Sequence, residues 1–204
     1  MAARVFLDPA YGWREAGHGA HRVACAGPAD SAAAFLAALP RPAAPMVVDA
    51  DALFWLAEKR SLRKLLPPDA ILTPHPGEAG RLAKTSTRDI QADRLGQARA
   101  LAADLGRVTV LKGAGALVAG PGGTVLLCPL AAPCLAVAGS GDVLSGLAGS
   151  LLARGLAPLD AAGLATYWHG SAGILLGQGF PGRGNLAREI ADALPRALEE
   201  MQPC

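Results

Sequence analysis

The feature that most constrains this chain is an alternation of short apolar runs, each closing on polar or turn-forming residues, with longer stretches of helical spacing. The runs are "MVVDA" (46–50), "AILTP" (70–74) and "VTVLKG" (108–113), rich in β-branched or aliphatic side chains and read as strands. Between the last two, "TRDIQADRLGQARALAADLG" (87–106) repeats Ala98, Leu101, Ala102 and Leu105 at helical spacing, and Gly106 is suited to close the helix. That is a strand–helix–strand unit. Its repetition predicts an α/β fold in which helices cover a mostly parallel sheet.

"ALVAGPGGTVLLC" (116–128) breaks the pattern. Two apolar strands joined at "GPGG" read as a hairpin, so an antiparallel pair is added to the parallel sheet. Beyond Asp142 only helical spacing remains. "DVLSGLAGSLLARG" places Leu144, Leu147 and Leu151 on one face; "PLDAAGLATYWHGSAGILLG" and "NLAREIADALPRALEEM" follow, with Pro195 expected to break or kink the last helix. The Ala/Pro-rich "LAALPRPAAP" (36–45) reads as a helix end and loop rather than a domain boundary, and 204 residues suit a single core.

Composition excludes several function classes. With 19 basic and 17 acidic residues spread along the chain, no basic stripe offers itself to a nucleic-acid backbone. Cys25, Cys128, Cys134 and Cys204 lack the paired spacing of a zinc site or a disulfide framework, which predicts free thiols in a reducing cytoplasm. The apolar run at the N-terminus is interrupted by Asp8 and Pro9, and no stretch reaches bilayer-spanning length. The expectation is a soluble, cytoplasmic protein that binds neither nucleic acid nor membrane.

Ligands of open parallel sheets gather beyond the carboxyl ends of the strands. Here those ends carry Asp49 and Asp51, "TPHPGE" (73–78) and "KGAGA" (112–116). Further on, "AGSGD" (138–142) opens a helix with glycines, where unpaired backbone N–H groups and the helix dipole make an anion cradle at Gly139, Ser140 and Gly141. Asp142 at that point suggests a base or an orienter of a hydroxyl beside phosphate, against the plainer reading of a helix cap. Lys112 suits a phosphate oxygen. His75, held between two prolines, suits a ligand contact or simply fills a turn. Asp49 and Asp51 suit water-mediated Mg²⁺ or helix capping, and His169 reads as a packed core histidine rather than a ligand.

Taken in order, "VVDADAL", "ILTPHPGEAGRLA", "VLKGAGALVAGPGG", "AGSGDVLSGLAGSLLARGL" and "AATYWHGSAG" resemble the ribokinase-like family of ADP/ATP-dependent NAD(P)H-hydrate dehydratases, over about 46–177. The resemblance implies a three-layer ribokinase-like domain over 1–204 with a shortened N-terminal part, in which "AGPADS" (26–31) keeps Gly27 and Pro28 of a glycine-rich loop. It implies dehydration of the 6-hydroxy adduct of NADH or NADPH, a repair reaction, with ADP or ATP and Mg²⁺ as cofactors and no protein residue assigned to the metal. By position, Asp142 would be catalytic and would contact the hydrated cofactor together with His75. Lys112, Gly113, Ala114, Gly115 and Ala116, with Gly139, Ser140 and Gly141, would hold the adenine nucleotide. A homo-oligomer is also implied. Two alternatives share the fold: a kinase acting on a vitamin-precursor alcohol, and a non-catalytic nucleotide-binding module that works by assembly.

Overall fold

The computed structural model describes residues 3–7, 21–25, 44–179 and 185–201. Among these residues seven strands form one sheet whose spatial order is the chain order. β1 (Ala3–Leu7), β2 (His21–Cys25), β3 (Met46–Val48), β4 (Ile71–Leu72) and β5 (Val108–Leu111) are parallel; β6 (Leu117–Ala119) and β7 (Val125–Leu127) continue it as the expected antiparallel hairpin. Crossovers between parallel strands are right-handed, so an order that advances in one direction sends successive connections over the same face. α1 (Asp51–Glu58) with a 3₁₀ turn (Arg60–Leu65) links β3 to β4, and α2 (Pro76–Ala83), α3 (Thr87–Ala92) and α4 (Arg94–Leu105) link β4 to β5. Their apolar residues share one core with Met46, Val48, Leu72 and Leu111.

The opposite face is left for α5 (Ser140–Ala153), α6 (Pro158–Gly179) and α7 (Ala187–Met201). Leu144, Leu147 and Leu151 of α5 and Ala161 and Ala165 of α6 pack there against Val47, Ile71, Val108 and Val110. Neighbouring strand residues thus belong to different cores, which is why these strands are apolar at every position. The result is three layers.

Two helical expectations need correction. The stretch 87–106 is not one helix: Asp93 leaves helical geometry (φ −137°), and its carboxylate accepts the Gly96 N–H at 2.9 Å, capping α4 while α3 ends. Apolar spacing is blind to such a local competitor for backbone hydrogen bonds. Of the break or kink expected at Pro195, the break does not occur: α7 runs through it to Met201. Ile190 and Ala197, on either side of the proline, are buried in one cluster, and Trp168 of α6 donates its indole N–H to Leu194 O at 2.7 Å. Packing on both sides outweighs one missing N–H.

Candidate functional site

β3, β4 and β5 end along one edge of the sheet, and hydrogen bonds extend their pairing past the strands: Thr73 N–H donates to Val48 O at 3.1 Å and Lys112 N–H to Pro74 O at 2.9 Å. Asp49 and Lys112 therefore stand level, one strand apart. Lys112 Nζ reaches across β4 to Asp49 Oδ1 at 2.8 Å, and Ser145 of α5 donates to Asp49 Oδ2 at 3.0 Å. Burial pushes the Asp49 carboxyl toward neutrality, but the Lys112 charge and the donors Lys112, Ser145 and the Ala50 N–H outweigh it and hold its pKa below the usual value. Gly141 lies over this pair; a Cβ there would come within 3.3 Å of Asp49 Oδ2 and 3.4 Å of Lys112 Nζ. Only glycine lets the first turn of α5 settle directly onto the ion pair.

His75 is the N-cap of α2. Its Nδ1 accepts from the N–H groups of Gly77 at 3.0 Å and Glu78 at 3.3 Å, while Glu78 Oε2 accepts the His75 N–H at 2.7 Å, a reciprocal capping box with Pro76 at the first helical position. The ring proton of a neutral His75 is thereby placed on Nε2, 3.5 Å from Glu78 Oε1. Glu78 Oε2 also lies 3.8 Å from Lys112 Nζ. A chain of polar groups thus runs from half-exposed His75 through Glu78 to Lys112, Asp49 and Ser145.

The loop after β5 is pinned from behind. The Arg94 guanidinium in α4 donates to Leu111 O at 3.3 Å, Lys112 O at 3.4 Å and Gly115 O at 3.3 Å. In front of this loop lies a cleft of about 490 Å³, bounded by Lys112, Gly113, Ala114 and Ala116, by an apolar segment over 130–137, and by Ser140, Gly141, Thr166 and His169. The segment over 130–137 is seated on glycines of α6: a Cβ on Gly170 would meet Leu130 at 3.1 Å, and one on Gly173 would meet Leu135 at 2.7 Å. At the helix start, Gly139 takes φ 85° as N-cap of α5. Ser140 N–H turns back to Val137 O at 3.2 Å, and the N–H groups of Asp142 and Val143 both reach Gly139 O. Gly141 N–H is the amide of that turn left without an acceptor among the described residues.

Asp142 faces elsewhere. It lines a second cavity of about 420 Å³ between α5 and α7, with Gly139, Val143, Leu147, Arg188 and Leu194 among its walls. The structure therefore brings Lys112, Gly113, Ala114, Ala116, Ser140 and Gly141 to one cleft, and puts Asp142 and Gly139 on the other side of the same turn. Gly115 supports the loop from behind, and His75 lines neither cavity. Asp51 is exposed in the first turn of α1, whereas Asp49 is committed to Lys112 and Ser145. His169 is buried, as expected of a core residue, and yet lines the cleft. Sequence reasoning missed Glu78, Ser145 and Arg94. For Glu78 the signal was present, three residues after a candidate N-cap; Ser145 is distant in sequence from Asp49, and Arg94 from the loop carbonyls it holds. The loop 26–31 lies outside the described residues.

Among the described residues no three His, Cys, Asp or Glu side chains gather into a metal cage, and no helix is long and apolar enough to cross a membrane.

Known proteins resemble both the sequence and this fold. The family described as NAD(P)H-hydrate dehydratase matches residues 27–196. A bifunctional NAD(P)H-hydrate repair enzyme of Moorella thermoacetica is 42% identical over 164 residues, covering 80% of this chain and 31% of that protein. An ADP-dependent (S)-NAD(P)H-hydrate dehydratase of Neisseria meningitidis is 42% identical over 152 residues, 73% of this chain and 51% of that one. This chain thus spans about a third to a half of the length of those curated relatives. Among solved structures, the ADP/ATP-dependent NAD(P)H-hydrate dehydratase of Bacillus subtilis, co-crystallised with ATP/Mg²⁺ and soaked with CoA, superposes with a TM-score of 0.78 at 32% identity, covering 95% of this chain and 70% of its own.

Proposed function

The chain belongs to the NAD(P)H-hydrate dehydratase family, and we propose that it removes water from hydrated NADH or NADPH with the help of ADP or ATP. The observation that carries this reading is the cleft in which an unsatisfied helix-N-terminal amide, a lysine and a small-residue apolar wall converge. A planar heterocycle would lie in the cleft against the apolar wall over 130–137. Its phosphates would then meet Lys112 Nζ, Gly141 N–H and the positive end of α5. Bound there, the nucleotide supplies a phosphoryl group through which a hydroxyl oxygen can depart. Mg²⁺ fits as an ion carried by phosphate oxygens and water, the usual state of that ion, because both Asp49 oxygens are already engaged.

The protein's own groups supply the rest. Lys112 neutralises phosphate charge while the buried Asp49 carboxylate and Glu78 hold its ammonium in place. The wall over 130–137 excludes water from that charge. Asp142, across the same helical turn, accepts the proton of the substrate hydroxyl. His75, its ring fixed by the capping box, presents one edge to the hydrated cofactor. The same reading carries a cytoplasmic location and a homo-oligomer, for which the sheet edge at β7, with Leu126 and Leu127 exposed, supplies an apolar surface.

The test is to mix the protein with hydrated NADH and either nucleotide and follow the absorbance of reduced nicotinamide. Recovery of that absorbance, lost in Asp142→Asn, is expected. No recovery with either nucleotide, together with ATP consumption on a vitamin-precursor alcohol, would overturn the dehydratase reading in favour of a kinase.

A further inference from the structure

Ser140 and His169 are two buried polar residues in the wall of the Lys112 cleft. Ser140 is the first residue of α5, and His169 lies midway along α6. Ser140 Oγ stands 3.2 Å from His169 Nε2, a distance compatible with either group as donor. The two arrangements have opposite consequences. If Nε2 accepts, the serine proton is spent on the ring, and Oγ shows the cleft only lone pairs. If Nε2–H donates, the hydroxyl proton is free to point into the cleft.

The chemistry of the cleft selects the second arrangement. Lys112 Nζ and Gly141 N–H, which line the same end of it, are donors, so the complementary ligand is an acceptor and a lone-pair-only Ser140 would oppose it. Burial, partly offset by the Ser140 backbone and reinforced by the Lys112 charge, lowers the His169 pKa to about 4. The ring is therefore neutral near pH 7 and has one N–H to place.

We propose that His169 is a positioning residue: its Nε2–H donates to Ser140 Oγ and so directs the Ser140 hydroxyl proton at a phosphate oxygen of the bound adenine nucleotide. Ser140 becomes a third phosphate donor beside Lys112 and Gly141, with its direction set from a different helix. The proposal rests on the reading of this cleft as the nucleotide site.

Nitrogen-15 NMR of the imidazole near pH 7 tests the tautomer, and ADP titration calorimetry tests the consequence. The expected ring has a protonated Nε2 and a bare Nδ1. Ser140→Ala and His169→Leu should each weaken ADP binding about tenfold, the scale of one hydrogen bond to a charged group. The double variant should be no weaker than either single one. His169→Gln, which returns an N–H donor near the Nε2 position, should recover most of the affinity, an outcome that loss of packing would not produce. A bare Nε2, multiplicative losses in the double variant, or no recovery with glutamine overturns the proposal alone. If the unaltered chain fails to bind ADP, the nucleotide reading falls and takes this proposal with it.

Discussion

The two sides of the first turn of α5 are built differently. On the Lys112 side, polar groups are held by partners from several elements: Asp49 after β3, Glu78 of α2, Arg94 of α4 and His169 of α6. On the Asp142 side the cavity is walled by α5 and α7 alone among the described residues, with Arg188 81% exposed and 4.0 Å from Asp192. Distance and restraint teach a division of labour. Under the proposed reading, the side that would bind a compact, highly charged group is held rigid by interlocking elements, and the side that presents the Asp142 carboxylate is more open. One turn of helix serves both, since residues 139 and 142 face one way and 140 and 141 the other.

The sharpest way to break this comparison is Asp142→Asn. If the two sides are separable, turnover of hydrated cofactor should fall by a factor of about 10²–10⁴, the usual weight of a positioned base, while the ADP dissociation constant stays within a few-fold of the original. Equal loss of both would show that the sides act as one. The reciprocal change, Lys112→Ala, leaves the Asp49 carboxylate buried with only Ser145 and a backbone N–H; denaturant unfolding should report a stability loss of about 3–5 kcal/mol, together with loss of ADP binding.

Acid should act on the Lys112 side first. His169 has a folded-state pKa of about 4 against an ordinary 6.5, so between those values the unfolded chain binds the extra proton. Stability is then fully present above pH 6.5 and is lost as pH falls toward 4, by about 3 kcal/mol in all. The depressed pKa of Asp49 has the same sign, with its contribution lost as pH falls through its folded value. Melting temperatures across this range should fall less steeply in His169→Gln; an unchanged slope would mean that His169 is not buried neutral. The smallest effect is at the wall: Gly173→Ala puts a methyl 2.7 Å from Leu135 and 2.8 Å from Ala132, and should cost about 1–3 kcal/mol while weakening nucleotide binding more than it alters the role of Asp142.

Much of this was readable along the chain. The runs at 46–50, 70–74 and 108–113 became β3, β4 and β5, the hairpin at 116–128 became β6 and β7, and Gly106 closes α4 in left-handed geometry (φ 62°). Each depends on neighbours within one period of helix or strand. The reading fell short where a short polar side chain or a distant surface decided: at Asp93, which ends one helix and caps the next, and at Pro195, where packing against Trp168 and the α6 cluster carries the helix on without a break. Ala3–Leu7 was not read as a strand, because its pairing partner, His21–Cys25, lies beyond local spacing.

The same boundary runs through the site. Sequence by itself determined which residues could do chemistry: a lysine and an aspartate at strand ends, and glycines ahead of a helix, because residue type and position at an element's end fix charge, donor and conformational freedom. Only the tertiary structure decided that Asp49 would pair with Lys112, that His169 would face Ser140, and that Asp142 would look away from both. Those outcomes depend on which side of a helix meets which strand end, and on whether a buried charge finds a partner, and both are set by contacts between elements far apart in the chain.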